Sequence, residues 1–149
     1  MNSLLLSVHV LAGIVFVGGS AVATSLFPRY APVSGEDGSE ERDTAVAALL
    51  HRITGGYALC GVVVPVVGMV LATVQGRMGE IWVVVAMVLT GVAAVLLAAQ
   101  IHPRQRTALW EPGTVRDLRT LAMLAGFYNL IWAAVVVLMI VRPGYEVAA

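Results

Sequence analysis

Lysine is absent from this sequence: all nine basic residues are arginine, balanced by nine acidic residues for a net charge of zero. That removes Schiff-base chemistry and lysine general bases, and it leaves no basic face of the kind that binds nucleic acid. Cysteine is nearly absent too. Cys60 stands alone, so an intrachain disulfide and a Cys-x-x-Cys zinc site are both excluded. Charge of either sign is scarce. Only 12% of the 149 residues are charged and 59% are hydrophobic, with a mean hydropathy of +0.88, whereas a soluble domain has about 25% charged and about 45–50% apolar residues. So much apolar surface requires an apolar solvent, and lipid is the simplest one.

What is present is a set of four uncharged runs: Leu4–Phe27, Ile53–Gln75, Ile81–Ile101 and Thr120–Val141. Each approximates the roughly 20 residues that span about 30 Å as an α-helix. In hydrocarbon every backbone N–H and C=O must find its partner within the element, which selects helices. The sequence therefore predicts an all-α, four-transmembrane-helix bundle. It forms a single transmembrane domain over residues 1–149, with helices over about 3–27, 44–75, 80–101 and 116–141. Ala21-Val22-Ala23 mimics a signal-peptide cleavage motif, but no positive residue precedes the first run and the run is too long for a signal core. It reads as a retained helix. Pro65 should kink the second helix, since it lacks an N–H and its ring crowds the preceding turn. Gly76-Arg77-Met78-Gly79 reads as a tight turn, and Pro112-Gly113 as a break in the segment His102–Arg119.

Arginine placement sets the expected orientation. Arg29, Arg42 and Arg52 flank the first long connection and Arg104, Arg106, Arg116 and Arg119 the second, while only Arg77 and Arg142 lie on the opposite side. The positive-inside rule then puts both termini outside and the two long loops in the cytoplasm. The expected location is the cytoplasmic (plasma) membrane of a bacterium.

Helical periodicity separates the faces. In the first helix Leu4, Val8, Leu11, Val15, Val22 and Leu26 form an aliphatic stripe suited to lipid, opposite His9, Gly13, Phe16, Ser20, Thr24 and Phe27. In the second, Thr54, Tyr57, Gly61, Pro65, Gly68, Ala72 and Gln75 align. The corresponding rows are Met87, Gly91, Ala94, Ala98 and His102 in the third helix, and Ala122, Gly126, Asn129 and Ala133 in the fourth. Small, weakly polar residues let membrane helices approach closely, so these rows are expected to face inward.

Against that packing background, His9 is the most informative residue. An ionisable group about two turns into a membrane helix is costly and marks a candidate site. Imidazole suits heme iron, copper or proton transfer, and Gly13, one turn on, leaves room beside the ring for a flat macrocycle. The alternative is a neutral histidine bonded to a neighbouring helix. His51 and His102 fall at the same end of helices 2 and 3, where they are candidate neighbours and metal or axial ligands, or simply interfacial polar residues. Met69, Met87 and Met139 lie at depths similar to His9, and thioethers with imidazole suit Cu(I); methionine is also ordinary packing material. Asn129 reads as a helix–helix hydrogen bond, and Cys60 as an inert thiol. Nucleophile-elbow, phosphate-loop and HExxH motifs are missing. The four runs hold no acidic residue, which disfavours a carboxylate-based ion pathway.

The stretch Val8-His9-Val10-Leu11-Ala12-Gly13-Ile14-Val15-Phe16-Val17-Gly18-Gly19 resembles the first helix of a loose superfamily. That superfamily comprises CopD-like copper-resistance proteins, HemJ-like protoporphyrinogen oxidases and small membrane proteins of unknown function. The shared pattern is a histidine, an aromatic seven residues later, then glycine: His9, Phe16 and Gly19. His51-Arg52 and the closing Met139-Ile140-Val141-Arg142-Pro143-Gly144 resemble the unknown-function group. The resemblance implies a heme b or copper link through His9. The HemJ-like pattern carries tryptophan where Phe16 stands and relies on a lysine, which this chain lacks.

Two functions of different class follow as expectations. One is a membrane protein that binds heme b or copper through His9, with Gly13 and Phe16 beside the cofactor. The other is a non-catalytic accessory or assembly subunit, a homo-oligomer or part of a larger membrane complex. A four-helix transporter without an inverted repeat or intramembrane charge is disfavoured.

Overall fold

The computed structural model describes residues 2–35, 42–61 and 63–144. The acidic stretch 36–41, where the sequence places the approach to the second helix, lies outside the described residues. Helix α1 runs Asn2–Tyr30, α2 Thr44–Cys60, α3 Val63–Val74 and α4 Ile81–Val95. A π-helical turn, Leu96–Ile101, leads directly into α5, His102–Trp110, and α6 runs Val115–Val141. These make four helical spans long and apolar enough to cross a membrane: Ser3–Tyr30, Thr44–Val74, Ile81–Trp110 and Val115–Val141. The all-helical architecture expected from the hydropathy is present.

Local chemistry explains the ends and the breaks. Asp43 caps α2, its Oδ1 accepting from the Ala45 and Val46 N–H groups at 2.8 and 3.2 Å. Asp117 Oδ2 accepts from both the N–H and the hydroxyl of Thr114, at 2.8 Å each, at the start of α6. Helix α2 ends at Cys60 and α3 begins at Val63, so the interruption comes within the turn before Pro65, whose ring crowds that turn, as the proline predicts. The turn between α3 and α4 uses Gly76 at φ +67°, a conformation glycine adopts without strain.

The third span departs from expectation. The sequence reading ends it at Ile101, yet the helix continues to Trp110. Pro103 does not terminate it because the π-turn immediately before absorbs the missing hydrogen bond. The His102 N–H reaches back five residues to the Leu97 carbonyl.

The faces of the first two spans match the sequence reading. Val8, Leu11 and Val15 are exposed, while Phe16, Ser20, Thr24 and Phe27 are buried. Thr54, Gly61 and Ala72 are buried on the second, although Gln75 is exposed. The third and fourth spans require a correction. Their buried rows are Val83, Ala86, Thr90, Ala93, Leu97 and Ile101, and Leu118, Leu121, Ala125, Tyr128, Trp132 and Val135. Each row lies one residue earlier than the small-residue row expected to face inward; Gly91, Ala98, Ala122, Gly126 and Ala133 are exposed. The reason is volume. The bundle centre is filled by aromatic rings meeting edge to face: Phe16 with Tyr57 at 5.6 Å and with Trp132 at 5.5 Å, and Tyr128 with Trp132 at 6.3 Å. Buried hydroxyls are satisfied locally or across helices. Thr24, Thr54 and Thr90 donate to carbonyls four residues back, and Tyr128 donates to Ser20 Oγ at 2.8 Å. A second core cluster, including Ala23, Phe27, Ala47, Leu50, Ala108 and Leu121, closes the other end of the bundle.

Candidate functional site

The structure separates the candidate residues into two regions. At the α5 end, helix α2 carries His51 and the start of α5 carries His102. The rings stack 4.4 Å apart between centroids at an interplanar angle of 18°. Two features of the backbone produce this contact. The π-turn delivers His102 to the face that meets α2, and Gly55 gives it space: a Cβ there would stand 2.9 Å from His102 Nε2. One turn along α5, Gln105 is completely buried, and its Oε1 lies 3.4 Å from His51 Nδ1. An amide oxygen can only accept, so the contact is a hydrogen bond in the tautomer that carries its proton on Nδ1. The Gln105 Nε2, equally buried, has no acceptor among the described residues.

The expectation that His51 and His102 could be neighbours is thus realised. Among the described residues no Cys, Asp or Glu joins them in a group of three. Gln105 and Gly55 were not singled out from sequence. A helix ending at Ile101 hides the i, i+3 relation that puts Gln105 on the face of His102.

The second region surrounds His9. The imidazole is half-buried on α1, facing α3, where a Cβ at Gly68 would lie 3.6 Å from His9 Cε1. Gly13 opens on empty space, with nothing within 4 Å of a built Cβ. One turn further along both helices begins an apolar groove of about 510 Å³ between α1 and the α2–α3 break, lined by Ala12, Phe16, Gly56, Tyr57, Cys60 and Val64 among others. Phe16 forms its inner wall and is at the same time part of the aromatic core. The Tyr57 ring covers Gly19 so closely that a methyl group there would overlap its hydroxyl. Met139 packs on the aromatic core, while Met69 and Met87 are half-buried. Asn129 makes the interhelical hydrogen bond anticipated for it, donating to Ser25 Oγ at 2.9 Å.

No family model, no curated protein and no solved structure matches this chain.

Proposed function

We propose that the chain is a multi-pass protein of a bacterial cytoplasmic membrane that holds a flat, apolar cofactor of the heme b class beside His9. The observation that carries this reading is the half-buried imidazole packed against a glycine of the neighbouring helix, close to an apolar groove. The His9 ring lies against Gly68 of α3, 3.6 Å from a Cβ built there, with open space at Gly13 one turn along α1, and one turn away begins an apolar groove whose volume is within the range of about 300–1,000 Å³ that suits small ligands. The donor set fits: a neutral imidazole is an axial heme ligand, and Phe16, Tyr57 and Val64 supply an apolar wall. Bound heme would supply one-electron chemistry; the residues of the chain would hold it, exclude water and set its depth. The bundle end with the long connections faces the cytoplasm in this reading, because seven of the nine arginines lie in those connections or the helix ends beside them.

Absorption spectra of the oxidised and reduced protein, taken gently from its native membrane, test the reading, with metal analysis on the same sample. A Soret band lost in His9→Ala is the expected result. Copper without heme would transfer the site to His9 with Met69, Met87 or Met139. A colourless, metal-free protein would sink both.

A second reading rests on a different observation. The small-residue rows on α4 and α6, including Gly91, Ala98, Gly126 and Ala133, are exposed, where close approach of further membrane helices is favoured. It makes the chain an accessory subunit of a homo-oligomer or larger complex. Crosslinking from Gly91→Cys or Gly126→Cys to another polypeptide supports it, and a monodisperse monomer in native-lipid discs counts against it.

A further inference from the structure

Among the described residues, the bundle end that carries the stacked histidines gathers positive and donor groups, and no acidic side chain joins the histidines in a group of three. Arg52 follows His51 in the chain. Arg106, one turn beyond His102, is within electrostatic reach of His51 and makes no ion pair among the described residues. The nearly parallel imidazoles set their in-plane lone pairs side by side rather than converging on one point, whereas a metal ion requires nitrogen donors converging at about 2.0–2.1 Å. Each ring carries at least one N–H donor, and the guanidinium adds a planar fork of donors. Gln105 Nε2 is a further donor left without an acceptor in a buried position, which is costly unless an acceptor arrives. Apart from one ring nitrogen on each neutral imidazole, the unsatisfied groups of this cluster are donors or a cation. Their common complement is an oxyanion with several acceptor oxygens.

We propose that His51, His102, Arg106 and the Gln105 amide form a binding site for a phosphate-class oxyanion, distinct from the region around His9. Gly55 and the π-turn before Pro103 are the backbone provisions that hold the pair in place. The site lies where the apolar spans give way to arginine-bearing helix ends, a depth shared by lipid phosphodiesters and by phosphate in solution. Either source offers the same chemistry to the four groups.

The test uses the full chain in phosphatidylcholine nanodiscs, with inorganic phosphate as probe and ³¹P line broadening or calorimetry as readout. Saturable binding is expected, weakened about tenfold by Arg106→Gln, whose exposed side chain can be changed without disturbing the core, and at least as much by His102→Gln. Nanodiscs containing phosphatidylglycerol separate the sources. If they abolish phosphate binding to the wild type, and lipid retained on detergent extraction falls in Arg106→Gln, the occupant is a headgroup. If phosphate still binds, it is the soluble anion. Equal phosphate and phosphatidylglycerol binding in the wild type and both variants would overturn the proposal. So would zinc binding that depends on His51 and His102 with no phosphate binding.

Discussion

His9 and the His51–His102 pair are the same side chain in opposite settings. His9 lies against Gly68 within an apolar span and makes no hydrogen bond among the described residues. His51 and His102 are pressed face to face, and a glycine is needed to let them meet. In the first setting the helix opens on empty space at Gly13, one turn from the imidazole; in the second the space left by a missing side chain is taken by a ring. Glycine therefore carries opposite meanings along this chain. Only the environment of the built Cβ, empty at Gly13 and obstructed at Gly55, distinguishes them.

The comparison can be broken most directly at those two glycines. Gly55→Ala should destabilise the protein by about 1–3 kcal/mol, since a crowded interior resists added volume, and should unstack the imidazoles. Gly13→Ala should change stability by no more than about 1 kcal/mol and in the stabilising direction, from helix propensity alone. Unfolding of both variants in mixed micelles checks the contrast, and equal effects would remove the distinction. A double-mutant cycle sharpens it further. His51→Ala and His102→Ala should couple by about 0.5–1.5 kcal/mol, the range for a packed ring pair, while His9→Ala combined with either should be additive within about 0.5 kcal/mol. The smallest effect is expected at Gln105→Leu. It removes one long hydrogen bond to His51 but also an unpaired buried donor, and the two nearly cancel to within about 1 kcal/mol. A loss well above that would mean that the amide is satisfied by something bound.

How much of this was legible beforehand depends on which force dominated at each position. The four spans, the capped start of α2, the tight Gly76 turn and the Pro65 break all follow from hydrophobic length and backbone chemistry. Those act locally and show in the sequence. The faces of α1 and α2 were legible because polar and aliphatic residues segregate there. On α4 and α6 the rows of small residues misled, since the interior was claimed by the volume of Phe16, Tyr128 and Trp132, a property of three helices meeting rather than of any one. The proximity of His51 to His102 could be anticipated from their shared depth. Gln105 could not, because a proline at position 103 reads as an end and not as a helix that continues.

That π-turn amounts to one residue more than a regular helix would use between Leu97 and Gln105. Buried positions on this span fall three or four apart from Val83 to Leu97, then four and four through Ile101 to Gln105. Deleting Ala99 would take the surplus residue out and let the α-helix run straight through. Everything after it, His102 and Gln105 included, would then turn by about 100° around the axis, while the apolar span would remain long enough for a bilayer. A single codon thus separates a bundle whose histidines meet from one of nearly the same hydropathy in which they do not.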